Sequence, residues 1–429
     1  MRTCCLSVLG CLLFVGQSSA QAERYELGLR LRAMERQLDV VTDTTLRAAA
    51  FTEMNRAVQA FFRLDTGAVA KAMDAAACAL GGKPWSLATQ YAHSLQLALE
   101  QRLVAPGAGE LSGKMSIAYK LEDEDFELEN GSLRVFLPGA KEPVAIALAE
   151  LPQTISVPLA GVPVGDHSLR WQIVSGDEVL VTREQGLSVA VDLAPRLARL
   201  VEAAAAAESI SPPTIESKTL PALLKLLQSM QRRRSSETIL PGSQILAEAE
   251  QLSAWLAKPT EVPFYGAHRP GSFALRVPVG KGTAAVRLFV PKVDAPAPLV
   301  VALHGAGGSE NLFFDGYGDG RVVKLGAERN WLVVAPRLTL GSLDVAELCD
   351  ALAERFPVDL QRVAVVGHSM GAMQAVANAV RTPERFRAVA ALGGGGRVRA
   401  NAALKSLPFF VGVGSQDFAL SGAKALGCR

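Results

Sequence analysis

Val363-Ala-Val-Val-Gly-His-Ser-Met-Gly371, running directly into Ala372-Met-Gln-Ala-Val-Ala-Asn-Ala379, is the stretch whose reading decides the fold. A β-branched run of this kind predicts a buried strand, and the alanine-rich run that follows predicts a helix. Between them Ser369 is bracketed by Gly367 and Gly371. Glycines so placed let strand and helix backbones approach closely and lift a serine hydroxyl above the sheet edge, which is the nucleophile-elbow pattern.

Outward from the elbow, residues 264 to 413 alternate strand and helix signals. Phe273–Pro278 and Ala284–Pro291 read as a hairpin, and Leu299–Leu303 as a buried strand entering His304-Gly-Ala-Gly-Gly-Ser309. Helix Val322–Arg329, strand Trp331–Ala335, helix Leu343–Phe356, the elbow, and strands Ala388–Leu392 and Pro408–Val413 follow. This order predicts a mostly parallel sheet with helices on both faces.

Serine acyl transfer needs a base, a carboxylate to hold it and donors for the oxyanion. The glycine-rich segment after Leu303 offers the backbone N–H of Ala306, and Met370 offers the N–H after the nucleophile. Asp417, in Gly412-Val-Gly-Ser-Gln-Asp417 at the end of another strand, offers the carboxylate.

On these motifs residues 262–429 resemble the catalytic domain of the α/β-hydrolase superfamily, in particular its secreted polymer-esterase, feruloyl-esterase and dienelactone-hydrolase branch and the prolyl-oligopeptidase-like domains. The resemblance implies Ser369 as nucleophile, Asp417 as triad acid, Ala306 and Met370 as oxyanion donors, and neither metal nor organic cofactor. It implies a serine hydrolase for carboxylic esters, with peptidase activity as an alternative. In the family a histidine follows a further helix and strand after the acid, yet Phe418 to Arg429 contains none. The expectation is a chain truncated within the helix opening at Ser421, hence nearly inactive as it stands; the alternative is an inert binding or scaffolding protein. Of the five histidines, His304 and His368 read as structural, His93 as solvated and His167 as a strand-entry residue. His268 has no assignable place. The loop Phe313-Phe-Asp-Gly-Tyr-Gly-Asp-Gly320 reads either as a border of the substrate cleft or as a surface loop.

The first 261 residues lie outside the resemblance. Residues 1–22, with Arg2, an apolar run from Cys4 to Val15 and Ala20-Gln-Ala22, read as a secretory signal and predict a secreted or periplasmic protein. Leu9-Gly10-Cys11 offers a lipoprotein alternative, but the apolar core continues past Cys11. Residues 23–104 show helical stripes, among them Leu27/Leu31/Met34/Leu38, Phe51/Met54/Val58/Phe61 and Leu87/Tyr91/Leu95/Leu99, predicting an antiparallel bundle. Residues 110–194 alternate with period two and predict a β-sandwich of roughly seven or eight short strands. The acidic run Glu122–Glu129 reads as a solvated edge. Residues 195–261 read as a helical connector with an exposed basic turn at Gln231–Glu237.

The composition excludes other classes. With 44 Lys+Arg against 42 Asp+Glu and no basic stripe carrying aromatics, the chain has no electrostatic footprint for nucleic acid. No run after the first reaches membrane-spanning length. Beyond the signal region only Cys78, Cys349 and Cys428 remain, too scattered for a disulfide framework or a metal site. The partner expected is an ester-bearing small molecule or polymer, with further polymer or protein contact through the sandwich.

Overall fold

A computed structural model describes residues 17–429, apart from residues 124, 233–236, 340–342, 396–403, 405, 416, 418 and 428–429. The apolar part of the signal segment, and Arg233 to Ser236 of the basic turn, lie outside the described residues. The chain divides into two compact units, one of residues 1–191 and 226–244, the other of 192–225 and 245–429.

The first unit opens with α1 (Gln17–Val40), α2 (Thr44–Phe62), α3 (Thr66–Leu80) and α4 (Leu87–Ser94). Asp43, Asp65 and Ser86 cap the last three, each accepting N–H bonds from the first turn. The expected Phe51/Val58/Phe61 stripe does not turn inward: these side chains are exposed, and α2 buries Ala50, Ala57 and Ala60 instead. A small-residue face lets α2 lie close against alanine-rich α3, which no phenylalanine face would permit.

Eight strands follow: β1 (Leu95–Leu99), β2 (Leu103–Val104), β3 (Glu110–Ile117), β4 (Gly131–Phe136), β5 (Val144–Ala147), β6 (Gln153–Pro158), β7 (Gly165–Ser175) and β8 (Glu178–Val189). They form a three-stranded sheet, β1-β3-β6, and a five-stranded sheet, β2-β8-β7-β4-β5. Leu97, Met115, Leu133, Leu169, Trp171, Ile173 and Leu187 share one core. The helical reading of 95–104 is therefore corrected, because Leu95, Leu97 and Leu99 are buried alternately as a strand. Glu122, Asp123, Asp125, Glu127 and Glu129 are exposed, as a solvated edge requires.

Helices α5 (Leu193–Glu208), α6 (Ile215–Met230) and α7 (Gly242–Ala257) lead to a seven-stranded sheet. Its strands are β9 (Gly271–Val279), β10 (Gly282–Val290), β11 (Ala297–Leu303), β12 (Leu332–Pro336), β13 (Val358–His368), β14 (Ala388–Leu392) and β15 (Phe409–Gly412). In the order β15-β14-β13-β11-β12-β10-β9, the pairs β10–β9 and β10–β12 are antiparallel and the rest parallel. The interleaved helices are α8 (Arg321–Arg329), α9 (Val345–Ala353) and α10 (Met370–Arg381), with α11 (Leu420–Gly427) after β15. Buried β-branched runs such as Leu332–Ala335 make β12 a central strand covered on both faces. Cys349 is buried on α9, and burial pushes its thiol up to about 12. The parallel register aligns the carboxyl ends of β11, β13, β14 and β15 along one rim, where ligands bind in open α/β sheets.

Candidate active site

Ser369 sits at the junction of β13 and α10 with φ 53° and ψ −114°, a left-handed backbone on a residue that is not glycine. Such a conformation costs on the order of 1–3 kcal/mol and persists only when its surroundings dictate it. Here they do. The Ser369 N–H donates to the Leu392 carbonyl at 2.8 Å, and the Ser369 carbonyl accepts from Ala372 and Met373 at 3.0 and 3.2 Å, starting the helix. The flanking glycines are demanded by contact: a Cβ on Gly367 would lie 2.1 Å from the Gly371 oxygen, and one on Gly371 would lie 1.9 Å from the Leu303 oxygen.

The second contact places the end of β11 against the elbow. Beyond Leu303 the chain turns, with the Gly308 N–H on the Gly305 carbonyl at 3.2 Å and Gly307 at φ 76°. Buried His304 fixes this turn from beneath. Its Nε2 accepts the Leu338 N–H at 2.9 Å, so Nδ1 carries the proton and donates to the Gly305 carbonyl at 2.8 Å. A side chain on Gly305 would meet Ser369 Cβ at 3.4 Å. Ala306, the next residue, is exposed on the turn, while Met370 occupies the first position of α10, where N–H groups have no intrahelical acceptor.

Asp417 follows β15 in a turn whose N–H donates to the Gly414 carbonyl at 3.1 Å. Its Oδ1 accepts the Ala419 N–H at 2.8 Å, which leaves Oδ2 for other partners. That oxygen points toward Gly393: a side chain there would lie 3.4 Å from Oδ2 and 3.6 Å from His368 Nε2. One on neighbouring Gly394 would lie 2.6 Å from the Ser369 carbonyl oxygen. Gly393 and Gly394, the first two of four glycines after β14, thus admit Asp417, His368 and the nucleophile to one small region.

His368 is the residue that sequence reasoning left out of the site. Its Nδ1 lies 3.0 Å from the Tyr317 hydroxyl, and the two rings meet edge to face at 5.1 Å. Burial holds the imidazole below its usual pKa, with the Asp417 charge opposing that shift only in part. Tyr317 belongs to the Phe313–Gly320 loop. Phe313 and Phe314 are buried, and Arg287 pins the loop by donating to Asn311 Oδ1 at 3.0 Å and Asp315 Oδ2 at 3.1 Å, its guanidinium over the Phe314 ring. Tyr317 and Tyr-contacting Phe313 carried the only signal in sequence, an aromatic cluster just after the glycine-rich turn.

The remaining histidines stand apart from this arrangement. His268 is exposed beside Gly266, and His167 Nε2 lies 2.7 Å from the Pro163 carbonyl at the entry to β7, as a strand-entry residue should. His93 is buried, which corrects the solvated reading: its face of α4 packs against charged side chains of the first unit, with Nδ1 3.7 Å from Asp74 Oδ1. Among the described residues no group of three His, Cys, Asp or Glu could hold a metal ion, and no helix is long and apolar enough to cross a membrane.

Comparison with known proteins finds one family match and several similar solved structures. The Esterase family, described as putative esterase, matches residues 345–398, the span from α9 through the elbow to just past the glycine run after β14. No curated protein matches. Among solved structures, the fluorophosphonate-binding serine hydrolase F of Staphylococcus aureus is 16% identical, over 29% of this chain and 56% of that one, with a TM-score of 0.26. A ferulic acid esterase is 19% identical over 37% of this chain and 85% of that one, TM-score 0.33. An S-formylglutathione hydrolase of Agrobacterium tumefaciens is 19% identical over 37% and 70%, TM-score 0.25. The chain spans little more than half the length of the first solved structures it matches. The left-handed serine and its contact-enforced glycines lie within the span that is similar to the Esterase family, at the carboxyl end of a parallel strand.

Proposed function

We propose that residues 262–429 hydrolyse carboxylic esters through an acyl-enzyme on Ser369. The observation that carries this is the strained backbone of Ser369, held at φ 53° with the Gly305 turn against its Cβ. Ser369 Oγ attacks the ester carbonyl while its hydroxyl proton passes to the triad histidine steered by Asp417, a residue that the resemblance places beyond the acid and that is none of the five histidines of this sequence. The N–H groups of Ala306 and Met370 receive the oxyanion, and the alcohol leaves with the proton. Water then attacks the acyl-enzyme by the same path, releasing the acid and restoring the serine. The substrate is a small ester or an ester-bearing polymer met outside the cytoplasm, in keeping with the sequence of residues 1–22; the same machinery on an amide makes peptide cleavage the nearest alternative.

Ser369→Ala tests the proposal: turnover of p-nitrophenyl acetate should fall by on the order of 10³-fold or more, since loss of one triad member removes the chemistry and leaves only binding and oxyanion stabilisation. Unchanged turnover would remove Ser369 from the mechanism. Comparing an ester and an amide of the same acyl group separates esterase from peptidase.

One observation favours a second reading, an inert hydrolase-like domain in a binding protein: His368, the histidine beside Asp417, has its Nδ1 engaged by Tyr317. A fluorophosphonate probe decides between them, because it labels only an activated hydroxyl. Labelling that Ser369→Ala abolishes supports the esterase; no labelling supports the inert form.

A further inference from the structure

We propose that Tyr317 and His368 are a positioning pair that orients the Asp417 carboxylate, so that the loop after the oxyanion turn and the triad acid are set by one imidazole. The inference rests on the serine-hydrolase reading above and adds two residues to it.

The geometry supports it from both sides of the ring. On one side Nδ1 is within hydrogen-bond distance of the Tyr317 hydroxyl. On the other, Nε2 and Asp417 Oδ2 both lie within 3.6 Å of the space over Gly393. A neutral imidazole has one N–H and one lone pair, so the two contacts are not independent. Were the proton on Nδ1, a bare lone pair would face a carboxylate. With Tyr317 donating its O–H to Nδ1, the N–H is on Nε2, the side of the ring on which the carboxylate lies. Tyr317 contacts the ring at Nδ1, the Asp417 carboxylate lies across the space over Gly393 from Nε2, and the backbone of Gly305 borders the ring.

The pair is built to hold its position. Asp417 Oδ1 is already committed to the Ala419 N–H, so a partner at Oδ2 fixes the remaining rotation of the carboxylate. Tyr317 is fixed by the edge contact with Phe313 at 5.0 Å and by the Arg287 brace on its loop. Gly305, one residue before the proposed oxyanion donor Ala306, lies against the same imidazole: a side chain there would be 3.0 Å from His368 Nδ1. A displaced ring would disturb donor and acid together. Positioning of this kind acts on rate more than on binding.

The test combines a spectroscopic and a kinetic readout on the full chain. Nitrogen-15 NMR of histidine-labelled protein at pH 8 reports which nitrogen of His368 carries the proton. The expected result is the Nε2–H form in the wild type and a mixture of tautomers in Tyr317→Phe, whose ring packs as before without the hydroxyl. In parallel, the maximal rate constant for fluorophosphonate labelling of Ser369 should fall about tenfold in Tyr317→Phe, the effect of one lost hydrogen bond, with the probe's apparent binding constant unchanged. His368→Gln, whose amide can still donate toward Asp417, should recover part of the rate lost in His368→Ala. An Nδ1–H wild type, or a tautomer unaltered by Tyr317→Phe, overturns the pair. Equal labelling rates in wild type and Tyr317→Phe overturn it while leaving the hydrolase reading intact, whereas a wild type that is not labelled at all fails the hydrolase reading itself.

Discussion

Ser369 holds a backbone that glycine would adopt freely, and this separates its cost from its use. Ser369→Gly should raise the melting transition of the sheet unit, by about 1 kcal/mol after the extra chain entropy of glycine is set against the relieved strain. Ser369→Ala keeps the strain and should leave the melt where it is. A calorimetric scan of the two variants checks this, and a lower transition for Ser369→Gly would mean that the serine hydroxyl contributes more than the strain costs. The elbow was legible because its evidence is local: two glycines at fixed spacing after a β-branched run. The partner of His368 was not legible, because it depends on where residues near 317, 393 and 417 come to rest, and no spacing in the sequence encodes that. The same limit explains His93. Its position off the apolar stripe of α4 is visible in sequence, but the charged side chains that cover it come from three other elements.

At the scale of elements, residues 87–99 show how a pattern can satisfy two periods at once. Leu87, Tyr91, Leu95 and Leu99 repeat at four, yet Leu95, Leu97 and Leu99 also alternate, and pairing with β3 selects the strand. Helix α7 illustrates a start set by a distant residue. Asp166 accepts the Ser243 N–H at 2.7 Å and the Gln244 N–H at 3.0 Å, and also the Ser188 hydroxyl at 2.6 Å, which itself takes the Gly242 N–H. Asp166→Ala should therefore cost about 1–2 kcal/mol, the upper range for a lost cap, measured by urea unfolding. In the loop after β11, Phe314 is core and not cleft lining. Phe314→Ala should cost about 3–5 kcal/mol in stability. A variant with normal stability and altered ester preference would return that loop to the substrate.

At the scale of the whole molecule, Asp74 on α3 ties several elements of the first unit together. It is buried, and takes Arg30 Nε from α1 at 3.0 Å, an Arg183 nitrogen from β8 at 2.6 Å and the Tyr119 hydroxyl at 3.2 Å. Both arginines also donate to the His93 carbonyl. The helices and the sandwich thus share a charged centre, which separate hydrophobic stripes in the sequence do not announce. Burial alone would raise the Asp74 pKa, but Arg183 and Arg30 outweigh it and hold the carboxyl well below its ordinary range. A depressed carboxylate adds stability that is complete above the ordinary pKa of about 4 and is lost only as pH falls toward the folded value. Asp74→Asn should remove about 3–5 kcal/mol at pH 7, since two buried guanidinium groups lose their counter-charge. His93 works in the same sense but over a higher range: burial lowers its pKa, so the unfolded chain binds a proton before the folded one and stability declines as pH drops below about 6.5. His93→Gln should flatten the stability profile between pH 6.5 and pH 5, read from denaturant midpoints across that range.

Synthesis on the ribosome meets the strand order as a schedule. Strand β11 has β12 on one flank and β13 on the other, and β12 is made first. Until Val358–His368 emerges, β11 therefore carries a bare flank ending in the glycine turn, while the hairpin β9–β10 and β12 already give it a folded neighbour on the opposite side. An open flank is a template for another nascent chain. Closing it and creating the strained serine are a single event in time, because the residues that pair with β11 are the ones that lead into the elbow.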